Sequence, residues 1–313
     1  MEIKSYKIGD EHQILSLFEE SFNKEMSLEY WNWRFNNNPF SNEKFIELMW
    51  DNGKLIGHYA ISPIQMKING EVKNTALSMT TMTHPDYGGQ GVFSKLAQSL
   101  YNKLKHEHNY TMVWGFPNSN SHFGFNKNLG WRDIAIQSMS ILNFNRFLKN
   151  KVDVNYSLIS NFTDQDSNLF NENDKIISIN KTKEYLYWRY ISNPTANYKI
   201  IKLTSTNGAV IYKKIKSFLN PNLFEIDIME FGHITNINTL IELLSSIMIE
   251  EGEFIQFNIW DSLFSKNQLY LDKIGFRISE PLTYLGNLSF INDNNFTKHY
   301  NNWDISLGYS DVF

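Results

Sequence analysis

Apolar and polar positions along this 313-residue chain follow two different rhythms, and the changes of rhythm mark its elements. Weak alternation over residues 3–8 predicts a strand. Asp10 ahead of Ile14, Leu15, Leu17, Phe18 and Phe22 then predicts an N-cap and an amphipathic helix. Residues 30–39 read as a short aromatic helix stopped by Pro39. Residues 45–50 and 54–61, joined by Asp51-Asn52-Gly53, form a hairpin, because Asn-Gly supplies the positive φ angles of a tight turn. Asn69-Gly70 joins residues 64–68 to 71–77 in the same way. The strand continues through residues 77–83 to the turn His84-Pro85-Asp86. Gly88, Gly89 and Gly91 follow, and then Phe93, Leu96, Ala97, Leu100 and Leu104 return at helical spacing. Residues 110–116 predict a strand, 123–129 a short helix closed by Gly130, and 134–144 a further strand.

A strand, a glycine loop and a helix start in succession make a ready anion site. Glycines expose backbone N–H groups, and the positive end of the helix dipole points at the same place. A phosphate-bearing ligand is the natural occupant; a glycine-rich turn without a ligand is the alternative. There is no Gly-x-x-x-x-Gly-Lys-Ser/Thr, and Ser94 stands where the dinucleotide fingerprint requires its third glycine.

Residues 84–96 resemble motif A of the GNAT (Gcn5-related N-acetyltransferase) superfamily, Gln/Arg-x-x-Gly-x-Gly/Ala. Aligned on Gly91, Gly88 takes the Gln/Arg position and Phe93 the last small position, both departures from the pattern. Phe125-Asn126-Lys127-Asn128-Leu129-Gly130-Trp131 is similar to the family's motif B, and the order of elements over residues 1–145 is the family's order. The resemblance implies an α/β (α+β) fold, a mixed, mostly antiparallel sheet flanked by helices. It implies that Gly89, Gln90, Gly91, Val92, Phe93 and Ser94 hold the pyrophosphate of acetyl-CoA. Pantetheine would run beside Thr81, Met82 and Thr83, with the Thr81 N–H on the thioester carbonyl. Asn118, Ser121 and Phe123 would border it. The family's tyrosine acid position is Asn126 here, and residues 77–83 carry no carboxylate. His84 and His122 are therefore the candidate proton carriers. His84 also reads as turn chemistry, and Asn118 as the cap of the following helix.

The first half has an echo in the second. Tyr30-Trp31-Asn32-Trp33-Arg34-Phe35 is matched by Tyr185-Leu186-Tyr187-Trp188-Arg189-Tyr190, each reaching Asn-Pro three residues on. Leu129-Gly130-Trp131-Arg132 is matched by Ile274-Gly275-Phe276-Arg277. We therefore expect two tandem GNAT-like domains, 1–150 with the acetyl-CoA loop and 151–313 as a degenerate copy. In the copy, the strand at residues 224–231 leads to a loop with one glycine, Gly232.

Composition narrows the function. Apolar content of 42% with 20% charged residues is globular, and a net charge of −4 gives no reason to expect nucleic acid or a membrane surface as partner. The absence of cysteine excludes disulfides, cysteine-ligated zinc and an acyl-cysteine route. No His/Asp/Glu spacing suggests a metal, and neither a signal peptide nor a membrane span is read, so a cytoplasmic protein is expected. The resemblance implies transfer of acetyl from acetyl-CoA to an amine of a small molecule. Segments 115–121 and 303–311 resemble a subgroup that suggests an amino-sugar or nucleotide-sugar acceptor. A non-catalytic acyl-CoA binder and a tRNA-dependent aminoacyl transferase are the alternatives.

Overall fold

The computed structural model describes residues 1–218, 220–261, 265–291 and 296–310; Asp311, part of the last motif above, lies outside them. Two compact units are present: Met1–Ala135 with Thr283–Lys298, and Ile136–Leu282 with His299–Phe313.

The first unit carries β1 (Glu2–Ser5), α1 (Glu11–Phe22), α2 (Leu28–Phe35), β2 (Ile46–Asp51), β3 (Lys54–Ile68), β4 (Glu71–Thr83), α3 (Val92–His106), β5 (Met112–Gly115) and α4 (Ser119–Phe123). Neighbours β1 to β4 are antiparallel, and β5 joins β4 in parallel. Both Asn-Gly turns form as expected, with Asn52, Gly53, Asn69 and Gly70 all at positive φ. Residues 54–61 and 64–68 are one continuous strand, β3, running through Pro63. Pairing to β2 ends at Ala60, so Pro63 costs no bond on that side. One face of the sheet packs against α3 through Ile56, Ala76, Val92, Leu96, Leu100 and Leu104.

The strand β6 (Arg132–Asn143) begins in the first unit. The second carries α5 (Phe144–Phe147), β7 (Tyr156–Leu158), α6 (Asp164–Asn171), β8 (Ile177–Ile179), α7 (Lys183–Leu186), β9 (Tyr198–Leu203), β10 (Ala209–Lys216), β11 (Phe224–Gly232), α8 (Ile237–Glu251), β12 (Gln256–Ile259) and α9 (Lys266–Ile274); β13 (Arg277–Ser289) starts there and ends in the first unit. Its strands run β6-β12-β11-β10-β9-β7, with β11 and β12 parallel and the other pairs antiparallel. Both units are thus mixed, mostly antiparallel sheets flanked by helices.

The units are not the two halves of a single cut near residue 150. Beside β5 lies β13, with Gly286 opposite Gly115, and beside β12 lies β6, with Asn143 opposite Gln256. Each unit closes its sheet with a strand that the sequence places in the other half. Turn signals mark where strands end but carry no information about which strand a late partner chooses. The two echoes fall on equivalent elements: Ser27 and Thr182 cap α2 and α7 in the same way, and Gly130 and Gly275 both sit at positive φ. Among the described residues no helix is long and apolar enough to cross a membrane.

Candidate active site

Four features of the first unit converge at the C-terminal end of β4. The first is a wedge. β4 pairs with β5 only at Ala76–Val113 and Leu77–Trp114, yet β4 continues to Thr83. Its edge beyond Leu77 therefore has no in-register strand on the β5 side among the described residues, leaving main-chain groups of Thr81 and Thr83 for an extended ligand.

The second is a bulge. Gly57 and His58 oppose Thr83 and Met82, but Ala60 opposes Met79, so Tyr59 alone faces both Thr80 and Thr81. Thr80 sits at φ +49, a left-handed conformation that is a genuine outlier for a β-branched residue.

The third is the glycine loop. A single helical turn, residues 85–87, leads into Gly89 and Gly91 at φ +73 and +74. Gly91 is the N-cap of α3 and offers no side-chain cap; the first turn holds no acidic residue. A Cβ at Gly89 would meet nothing within 4 Å, and at Gly91 only the Lys95 Cε at 3.8 Å. The first N–H groups of a 15-residue helix are thus left without a side-chain cap beside open space and a lysine, which suits a pyrophosphate. The helix end is seated by Gly57, where a Cβ would lie 2.3 Å from Val92 Cγ1. That close approach is not visible in the hydrophobic pattern.

The fourth is α4. It leaves β5 after Gly115, which lies against Ser78, and reaches Gly124, which lies against the Phe93 ring. Residues 119–124 therefore run from the narrow end of the wedge to the first turn of α3. Asn118 caps α4, accepting from the N–H groups of Asn120 and Ser121 at 3.0 and 3.1 Å, and Ser121 Oγ donates back to Asn118 Oδ1 at 3.2 Å. Phe123 is exposed. His122 Nε2 is 2.7 Å from Asp133 Oδ1, and Asn126 Nδ2 donates to Asp133 Oδ2 at 3.1 Å. The imidazole stacks on Tyr284 at 3.7 Å. Nε2 also lies 3.0 Å from Asn126 Nδ2; with the carboxylate of Asp133 as the shorter contact accepting from Nε2–H, the Nδ1 lone pair makes no hydrogen bond among the described residues. Sequence reading missed Asp133 because the contact forms across the π-helical turn at Gly124–Asn128.

His84 is differently employed. Its Nδ1 accepts from the Asp86 N–H at 3.2 Å, and its Nε2 lies 2.7 Å from Glu20 Oε2 and 2.6 Å from Lys54 Nζ. The ring is buried in a cluster tying the turn to α1 and β3.

The second unit has the corresponding framework with different chemistry. β11 and β12 pair over Ile226–Ile228 and then part, and α8 is also 15 residues long. Its N-cap is Asn236, whose side chain accepts from the N–H groups of Asn238 and Thr239 at 2.8 and 3.1 Å. A cleft of about 410 Å³ beyond these strand ends is lined by Glu172, Asp174, Asp261 and Asp304 with Lys175 and His233. Filled helix donors and an excess of carboxylates disfavour an anion. No group of three or more metal-ligating side chains occurs among the described residues.

Residues 2–134, less than half of the chain, match the family model described as Acetyltransferase (GNAT) domain. A comparison with curated proteins finds no match. Among solved structures the chain is similar to a conserved protein of unknown function from Enterococcus faecalis V583, described as a probable N-acyltransferase. The TM-score is 0.72 at 15% identity, over 92% of this chain and 72% of that one. It is similar to a GCN5-related N-acetyltransferase from Anabaena variabilis ATCC 29413 (TM-score 0.67, 12% identity, 91% and 72% covered). It is also similar to Eis1 from Mycobacterium abscessus (TM-score 0.63, 9% identity, 96% and 76% covered). At these identities the likeness shows a shared fold, and the GNAT domain model matches it over residues 2–134.

Proposed function

We propose that the first unit is an acyl-CoA-dependent N-acetyltransferase that moves acetyl from acetyl-CoA directly to the amine of a small molecule. The observation that carries this reading is the alignment of the open β4 edge with an uncapped, acid-free helix N-terminus. Acetyl-CoA, when bound, supplies the activated thioester. The amides of Gly89 to Ser94 would hold its pyrophosphate, and the Thr81 and Thr83 main chain its pantetheine. The Thr81 N–H would polarise the thioester carbonyl. His122 Nδ1 would take the proton released as the amine forms its C–N bond, with Asp133 stabilising the imidazolium. The same nitrogen would return that proton to the departing thiol as the C–S bond breaks. An amino sugar or nucleotide-linked amino sugar is the acceptor class we favour.

The second unit is read as a degenerate copy, so one acyl-CoA site per chain is expected. A second reading, acyl-CoA binding without turnover, draws support from Asn126, which cannot protonate a thiolate. Calorimetry with acetyl-CoA, followed by thiol release across a panel of amino sugars, separates the two. Binding with amine-dependent thiol release supports the enzyme, and binding without release across amines selects the binder. No binding overturns both.

A further inference from the structure

We propose that His58 is a positioning residue: its Nδ1–H holds the Thr80 carbonyl and so locks the β4 bulge that aims the Thr81 N–H into the wedge. The functional half of this rests on the acyl-CoA reading above; the mechanical half does not.

His58 is fully buried, and its Nδ1 lies 2.7 Å from Thr80 O. Burial pushes the imidazole down to about 4, so at neutral pH it carries one proton. A carbonyl only accepts, which places that proton on Nδ1. Nε2 is then a bare acceptor, and it has no hydrogen-bond partner among the described residues. The ring lies edge to face with Phe35, 6.3 Å between centroids. The one hydrogen bond it makes is the one to the bulge.

The bulge is held from the other face as well. Tyr59, the single residue opposite Thr80 and Thr81, bonds Ser78 Oγ at 2.8 Å and Tyr101 Oη at 2.6 Å, and Trp131 Nε1 donates to Tyr101 at 3.0 Å. That network fixes β3 and Ser78, just before the bulge. The His58 side chain grips Thr80, the residue in the left-handed region. Without a donor at that position, the Thr80 carbonyl would be stranded against a buried apolar surface. Thr80 would then relax toward the extended conformation its branched side chain prefers, turning the next N–H with it.

Two variants test this. His58→Phe keeps an aromatic ring and removes the donor; His58→Asn places an amide nitrogen where Nδ1 stands and keeps it. In the ligand-free protein, Thr80 Cα and Cβ chemical shifts report its backbone conformation. They are expected to move from left-handed to extended values in His58→Phe and to stay in His58→Asn. Unchanged Thr80 shifts in a folded His58→Phe overturn the proposal. Isotope-edited infrared spectra of bound acetyl-CoA, labelled at the carbonyl carbon, then read the hydrogen bond to the thioester. The wild-type carbonyl band is expected below its position in free solution. In His58→Phe it is expected to return to the free position, while the calorimetric Kd stays within about threefold. A band equally displaced in wild type and His58→Phe refutes the aiming of Thr81. If wild type does not bind acetyl-CoA but Thr80 responds as described, the lock stands and the acyl-CoA reading falls.

Discussion

Gly91→Glu is the substitution that most directly tests the glycine loop. A Cβ at Gly91 has room, since its nearest neighbour is Lys95 Cε at 3.8 Å. The backbone at φ +74 disfavours any L-residue, by about 1–2 kcal/mol of stability. The charge acts on the ligand. A carboxylate about 5 Å from a phosphate at an effective dielectric of about 20 is repelled by about 3 kcal/mol. Because the residue is exposed and the side chain can swing toward solvent or Lys95, roughly half of that is expected to survive, on the order of a tenfold loss of affinity. Gly91→Ala is the control, with the same backbone strain and no charge. Calorimetry with acetyl-CoA is expected to give one site per chain in wild type and a Kd within about threefold for Gly91→Ala. The loss in Gly91→Glu should shrink in 0.5 M salt as the charges are screened. A folded Gly91→Glu that binds acetyl-CoA within twofold of wild type would refute the placement of the pyrophosphate.

Three further outcomes follow from the same geometry. Asp133→Asn replaces the carboxylate beside His122 by a neutral amide that no longer stabilises the imidazolium, so kcat is expected to fall by on the order of a hundredfold with KM nearly unchanged. An unaltered pH–rate profile would remove His122 from the chemistry. Burial holds His58 at about 4 in the folded chain against 6.5 when unfolded, so the unfolded state takes up the proton first as pH falls. Stability is therefore whole above pH 6.5 and lost between 6.5 and about 4, by about 3 kcal/mol. In urea titrations at pH 7 and 4 the deficit of His58→Asn relative to wild type should shrink at the lower pH, and a constant gap would contradict the assignment. In the second unit, Lys181 is buried with Glu230 at 2.9 Å and Asp304 at 3.3 Å. Lys181→Met leaves those carboxylates uncompensated and is expected to cost about 3–5 kcal/mol in urea unfolding, with part regained on adding Glu230→Gln. A cost under about 1 kcal/mol would show that the pair contributes little.

Local chemistry was the legible part of this fold. Both Asn-Gly turns, the Gly130 helix stop and the start of α3 are written in a few consecutive residues each. Features that depend on partners were not. Met79 and Met82 look like opposite faces of a strict strand, yet both are buried on the His58 face because Thr80 and Thr81 share one partner. Gly57 reads as an interruption of an apolar run, and its meaning appears only when Val92 is found on top of it. His84 was visible as a titratable residue at a strand end, but the cap to Asp86 and the pair with Glu20 need the fold. The pairing of β6 with β12 and of β13 with β5 was not legible, because it joins strands far apart in the sequence and no local signal names the partner.

The two units differ where one of them gives up stability. α8 spends its first N–H groups on the Asn236 cap, a contact worth about 1 kcal/mol, and α3 forgoes it at Gly91. Both units have an extra residue in the strand before the helix, but in β11 that residue, Met229, stays out of the left-handed region. In β4 it falls at Thr80, where the conformation costs about 1–3 kcal/mol. On the β5 side, β4 also leaves its last main-chain groups without an in-register strand among the described residues. Folding alone requires none of these departures, and the second unit does without the first two. That all three persist together, along one wedge in one unit, is the strongest physical reason to regard the wedge as a working site.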